Sequence, residues 1–125
     1  MVEEAEMARH HGRLDEAEAM YATLSRSPTL AQEMLGLLGL GEVQRRRRNT
    51  PTMAERALRR SKLFGFGYGQ VHAAVTLGLA GQISTEEAEA HISGSLYVPP
   101  IRGDVGGLLR FCQGADPERH LLCFP

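Results

Sequence analysis

The sequence predicts an all-α fold, a helical solenoid in which each helix pair completes its core on the next. Three observations carry this expectation. Ala17, Ala54 and Ala88 each follow a polar turn and open an amphipathic helix, at spacings of 37 and 34 residues, and Leu40-Gly41 returns as Leu77-Gly78 at 37. Periods of this size mark arrays of helix pairs, each unable to bury its apolar face alone. Apolar residues elsewhere recur at steps of three and four, as in Leu14, Ala17, Tyr21 and Leu24, which is one stripe of a helix. No stretch joins strict alternation to β-branched residues, so strands are not expected.

The elements follow from their start and stop signals. Gly12 ends a first helix, since glycine enters the left-handed conformation without a Cβ penalty. A second helix is expected from Leu14 to about Leu24. Ser27-Pro28 reads as an N-cap followed by proline at the first helical position, opening a third helix that runs to about Arg47. Thr50-Pro51 repeats that signal for a fourth, through about Leu63. The run Phe64-Gly65-Phe66-Gly67-Tyr68-Gly69 is expected to be a turn with aromatics packed into the core, leading to a fifth helix that ends near Gly81. Ser84 with Glu87 three residues on forms a capping box for a sixth helix, through about Leu96. Tyr97-Val98-Pro99-Pro100 is extended, because each proline biases its predecessor away from helix. Short helices are then expected from Asp104 to Phe111 and from Asp116-Pro117-Glu118. The division is therefore 1–97 for the repeats and 98–125 for a tail that packs back as a C-terminal cap, shielding its apolar end Leu121-Leu122-Cys123-Phe124-Pro125.

The segment Gly12-Arg-Leu-Asp-Glu-Ala-Glu-Ala-Met-Tyr21 resembles the second half of a tetratricopeptide repeat, where a glycine turn, a large residue, a small alanine and an aromatic stand at these offsets. The resemblance extends over about residues 3–96 and implies a right-handed helix-hairpin solenoid of about three repeats. Leu40-Gly41 and Leu77-Gly78 would lie on first helices and Ala54 and Ala88 on second helices. The Arg48–Met53 turn is longer than the family's, and the consensus tryptophan is absent. The Leu-Gly-Leu-Gly and Tyr-Gly-Gln-Val-His-Ala runs are similar to repeats in large bacterial signalling regulators. The resemblance implies a protein–protein interaction module that holds a peptide or partner helix in a concave groove, as part of a bacterial regulatory complex.

Composition bounds the alternatives. The 125 residues are 42% hydrophobic and 23% charged, ordinary for a soluble domain. No run approaches the roughly 20 apolar residues of a membrane span, and the acidic start Met1-Val2-Glu3-Glu4 is not a signal peptide. A net charge of −1 argues against a dedicated nucleic-acid binder. Lys62 is the sole lysine beside thirteen arginines, which fits high-GC codon usage and a bacterial protein; a cytoplasmic location is expected. Only eleven residues precede Gly12, so the N-terminal edge is expected to be open and able to self-associate.

Binding residues are expected on the inner helices. The basic run Arg45–Arg48 favours the negative end of a helix dipole. By the repeat resemblance, Glu42, Arg45 and Arg46 face the groove, joined by Glu6, Arg9 and His10 from the first repeat and by His72 and Gln82 from the third. Guanidinium forks pair bidentately with carboxylates, so an acidic partner is expected. The rival readings are a sensor domain for a small anionic ligand and an oligomerisation module. No cofactor or metal is expected: Cys112, His120 and Cys123 provide three local ligands where a zinc site takes four, and no acid–base pair marks an enzyme.

Overall fold

The computed structural model describes residues 2–95, and these form six α-helices: α1 Val2–His10, α2 Leu14–Ser25, α3 Leu30–Arg46, α4 Thr52–Phe64, α5 Gly67–Leu79 and α6 Thr85–Ser93. The expected tail helices and the Cys112, His120 and Cys123 positions lie outside the described residues. Each helix packs on the next in order, and α3 packs in addition on α5 and, more narrowly, on α1. The odd-numbered helices thus form one connected row. None of the helices is long and apolar enough to cross a membrane.

The turns within the pairs α1–α2, α3–α4 and α5–α6 close in one way. Arg13 N–H donates to the Ala8 carbonyl (2.8 Å), Asn49 N–H to that of Gln44 (2.9 Å) and Gln82 N–H to that of Leu77 (3.0 Å). The residue before each donor is left-handed: Gly12 at φ 77°, Arg48 at 59° and Gly81 at 73°. This is the six-to-one closure that satisfies the last carbonyls of a helix. Aligning the chain on these closures puts Ala5, Gly41 and Ala74 at one level, all buried. The match of Leu40-Gly41 to Leu77-Gly78 is therefore about one helical turn out of the register set by the turns. The marker alanines hold: Ala17, Ala54 and Ala88 have no exposed surface. At Gly41 a Cβ would stand 2.8 Å from that of Ala54, so its smallness sets the approach of α3 to α4.

Three boundaries differ from expectation for local reasons. Ser27 does not cap α3. Its hydroxyl accepts from Thr29 N–H (3.2 Å) and donates to Gln32 (2.8 Å), holding a turn ahead of a helix that starts at Leu30. The side-chain cap of α4 comes from α3 and not from the Thr50 hydroxyl: Gln44 Oε1 accepts from Met53 N–H (2.9 Å), and its amide donates to Thr52 (2.9 Å). Gly67 and Gly69 lie inside α5, because only Gly65 needs a positive φ (68°), and Gly69 faces the Ser61 hydroxyl across the α4–α5 contact. Ser84 caps α6 as expected, accepting from Glu87 N–H (3.1 Å).

Apolar burial is spread along the row. One cluster joins Ala5, Ala8, Ala17, Leu24 and Val43 around Tyr21; another joins Met34, Leu37, Leu38, Ala57 and Ala73, with Phe66 and Tyr68 packed on its edge. At the α2–α3 contact backbone meets backbone, since a Cβ on Gly36 would stand 2.7 Å from the Tyr21 carbonyl and 2.8 Å from Ser25 Cα. Intrinsic helix propensity would make Gly36→Ala stabilising by about 1 kcal/mol. Backbone overlap reverses the sign. Urea unfolding is expected to show a loss of about 1–3 kcal/mol, the cost of forcing atoms into a packed contact.

Candidate functional site

Of the residues expected to line a groove, five form one polar cluster, and part of it is interior. Glu42 has no exposed surface and Arg9 is 2% exposed. Arg45, one turn after Glu42 on α3, grips that carboxylate with two parallel bonds, Nε to Oε1 at 2.8 Å and Nη2 to Oε2 at 2.9 Å. Arg9 Nη1 approaches Oε2 from α1 at 3.7 Å. Thr76, on α5, holds its hydroxyl 3.2 Å from Oε1 and 3.1 Å from the His72 carbonyl, so its one proton serves either acceptor. A carboxylate stripped of water is costly by several kcal/mol, and only such paired, bonded surroundings offset that cost.

Arg9 carries the cluster outward. Its Nε donates to the Tyr21 hydroxyl (3.0 Å) and its Nη2 to Glu6, while Tyr21 donates in turn to Glu6 Oε1 (2.7 Å). Burial alone would lower the Arg9 pKa, but Glu6 and Tyr21 together outweigh it and raise it. Burial raises that of the Tyr21 phenol, with Glu6 adding to the rise and Arg9 opposing it. Arg46 reaches from α3 to the end of α1, where its Nη1 donates to the Arg9 carbonyl at 2.7 Å.

The arginine run thus divides its labour. Arg45 grips Glu42, Arg46 binds α1, and Arg47 joins α2 through Asp15 and through Glu18 at 2.9 Å. Arg48 is exposed and closes the helix in the left-handed region. Above the buried cluster, the ends of α3 and α5 enclose a cleft of about 360 Å³, lined by Arg45, Arg46, Arg48, Asn49 and Gln82 with Thr50, Leu79 and Ala80. Among the described residues, no carboxylate lines it.

The remaining expected residues fall elsewhere. His10 is exposed beside His11, and His72 is buried with its ring 5.7 Å from that of Tyr68. Among the described residues no group of three metal-ligating side chains is assembled. Sequence reasoning placed Tyr21 in an apolar stripe and passed over Thr76. One signal was present: Glu6-x-x-Arg9 returns as Glu42-x-x-Arg45 at 36 residues, the spacing of Gly12 and Arg48. Comparisons with protein-family models, curated proteins and solved structures find no match to this chain.

Two outcomes follow from the cluster. Glu42→Gln keeps the shape but leaves Arg9 and Arg45 facing a neutral amide, and is expected to cost about 3 kcal/mol or more in chemical denaturation. Tyr21 supplies a pH signature. Its folded-state pKa is raised, so its contribution is complete below the unfolded value of about 10 and is lost as pH rises past it. Stability measured at rising alkaline pH should decline more steeply for the wild type than for Tyr21→Phe.

Proposed function

We propose that this chain is a tetratricopeptide-like repeat module for protein–protein interaction, taking an acidic peptide segment or partner helix at the cleft between the ends of α3 and α5. Arg48 carries the reading. The equivalent positions in the other two turns are Gly12 and Gly81. A side chain in the left-handed region costs about 1 kcal/mol or more, and strain of this kind concentrates where a side chain is needed. The residue kept there is an exposed cation at the cleft mouth, with Arg45 and Arg46 already ordered beside it.

Recognition would work through preorganisation. Arg45 and Arg46 lose little freedom on binding because Glu42 and the Arg9 carbonyl already hold them. A carboxylate entering the cleft meets the exposed guanidinium fork of Arg48, suited to bidentate bonding, beside the charge of Arg45 and Arg46, and Asn49 and Gln82 add polar contacts at the rim. Glu6, Arg9 and Glu42 support this surface from beneath. A small anionic ligand suits the same cleft, whose volume falls within the range of small-molecule sites.

Selection of a random displayed peptide library on the folded protein tests the reading. Enriched peptides should be acidic, and Arg48→Gly should weaken their binding at least tenfold while raising stability by about 1 kcal/mol. Peptides without acidic enrichment, or binding indifferent to Arg48, would contradict it. Thermal stabilisation by dicarboxylates or phosphate with no peptide captured would favour the small-ligand version.

A further inference from the structure

The outward face of α4 beyond Thr52, whose hydroxyl accepts from Gln44, is unpartnered among the described residues. Thr52, Arg56, Arg59 and Leu63 follow at steps of four, three and four, which places them in one stripe, and all are exposed. Leu63 is 75% exposed, the highest value for a large apolar side chain among the described residues. Phe64 borders the stripe, 53% exposed, with the Arg60 guanidinium 5.3 Å from its ring centroid. Arg56 and Arg59 form no ion pair among the described residues. Two unpaired cations followed by two exposed apolar side chains make a face that is charged at one end and greasy at the other.

The same chain carries a face of opposite sign and matching step. On α6, Glu86, Ala90 and Ser93 recur at steps of four and three, with Glu87 and Gly94 alongside, and all five are exposed. Glu86 and Glu87 form no ion pair among the described residues. Beyond the two acids the stripe is small, so a leucine and a phenylalanine from another helix meet no bulky obstruction there. Of the other acidic faces, that of α2 is already engaged: Arg47 holds Asp15 and Glu18, and Arg13 holds Glu16 at 3.1 Å. That of α1 carries the bulky, exposed Met7 one turn after Glu3 and Glu4, where the α6 stripe has only small residues.

We infer that the α4 face docks α6 of a second copy of this chain, Arg56 and Arg59 meeting Glu86 and Glu87 while Leu63 and Phe64 seat over Ala90 and Ser93. A two-fold pair forms this contact twice, α4 on α6 and α6 on α4, so both stripes of both copies are satisfied together. The net charge of −1 leaves little general repulsion to oppose the approach. An extended polyanion is a poorer occupant. Helix α6 reaches α4 through Lys62 and His91, whose nitrogens are 3.4 Å apart, so a duplex or an anionic bilayer laid on α4 would also meet Glu86 and Glu87. Repulsion of that kind acts over a screening length of about 8–10 Å. This inference is independent of the cleft.

Charge exchange tests it on the full chain, with mass followed by light scattering over a concentration series. The wild type, 13.7 kDa as a monomer, should move toward twice that mass as concentration rises, and high salt should weaken the association. Arg56→Glu/Arg59→Glu and Glu86→Lys/Glu87→Lys should each remain monomeric alone. Mixed in equal amounts they should pair, since every contact in the mixed dimer again joins opposite charges. Misfolding of either variant cannot produce that gain. A wild type that stays monomeric, a dimer that survives either reversal, or a mixture that fails to pair would overturn the inference. Binding of the monomeric wild type to anionic vesicles or duplex DNA, lost in Arg56→Glu/Arg59→Glu, would also overturn it.

Discussion

The buried carboxylate of Glu42 is the constraint on which the arrangement of these helices depends. It stands on α3 and is approached by Arg9 from α1, Arg45 from its own helix and Thr76 from α5. Three helices of the odd-numbered row are thereby tied at one atom pair. Apolar contacts between them are non-directional and tolerate sliding by a turn, whereas a charged group stripped of water tolerates only positions that keep its partners. The network thus selects the register in which α1 and α5 meet α3. Its net contribution to stability is a separate matter, since a well-packed apolar replacement of a whole buried ion cluster is often neutral or better.

On the proposed reading, function and fold share these residues in layers. Glu42 and Arg9 are interior, Arg45 and Arg46 sit between interior and cleft, and Arg48 is at the surface. Charge placed at the ends of α3 and α5 opposes the partial negative charge of their terminal carbonyls, which makes a cationic cleft tenable there. On our reading, the rigid lower layer lets the upper one bind an anion without ordering it first. The α4 and α6 stripes lie apart from this system and give the chain a means of self-recognition on our inference.

The helices themselves were legible because their signals are local. Gly12, Gly65 and Gly81 mark turns through their positive φ, and Ser84 with Glu87 marks a start. Ala17, Ala54 and Ala88 announced the faces that become fully buried. Boundaries were missed where a side chain of the neighbouring helix intervened: Gln44 caps α4 from α3, and the Ser61–Gly69 contact lets Gly67 and Gly69 continue α5. The cluster was half legible. Six of the eight named residues lie in it or at the cleft, but charged residues are almost never fully buried, so a solvated groove was the natural expectation for Glu42 and Arg9. Tyr21 and Thr76 gave no warning, since an aromatic and a threonine on apolar faces read as packing.

The most direct measurement of the central claim is a double-mutant cycle between Arg9→Met and Thr76→Val, read by urea denaturation. The two residues stand on helices that make no extensive contact with each other, so only the shared carboxylate connects them. If Glu42 ties the row together, the two effects are non-additive by about 0.5–3 kcal/mol, and the coupling vanishes when Glu42→Leu is added to every member of the cycle. Additive effects, or a coupling that persists without the carboxylate, would contradict the account.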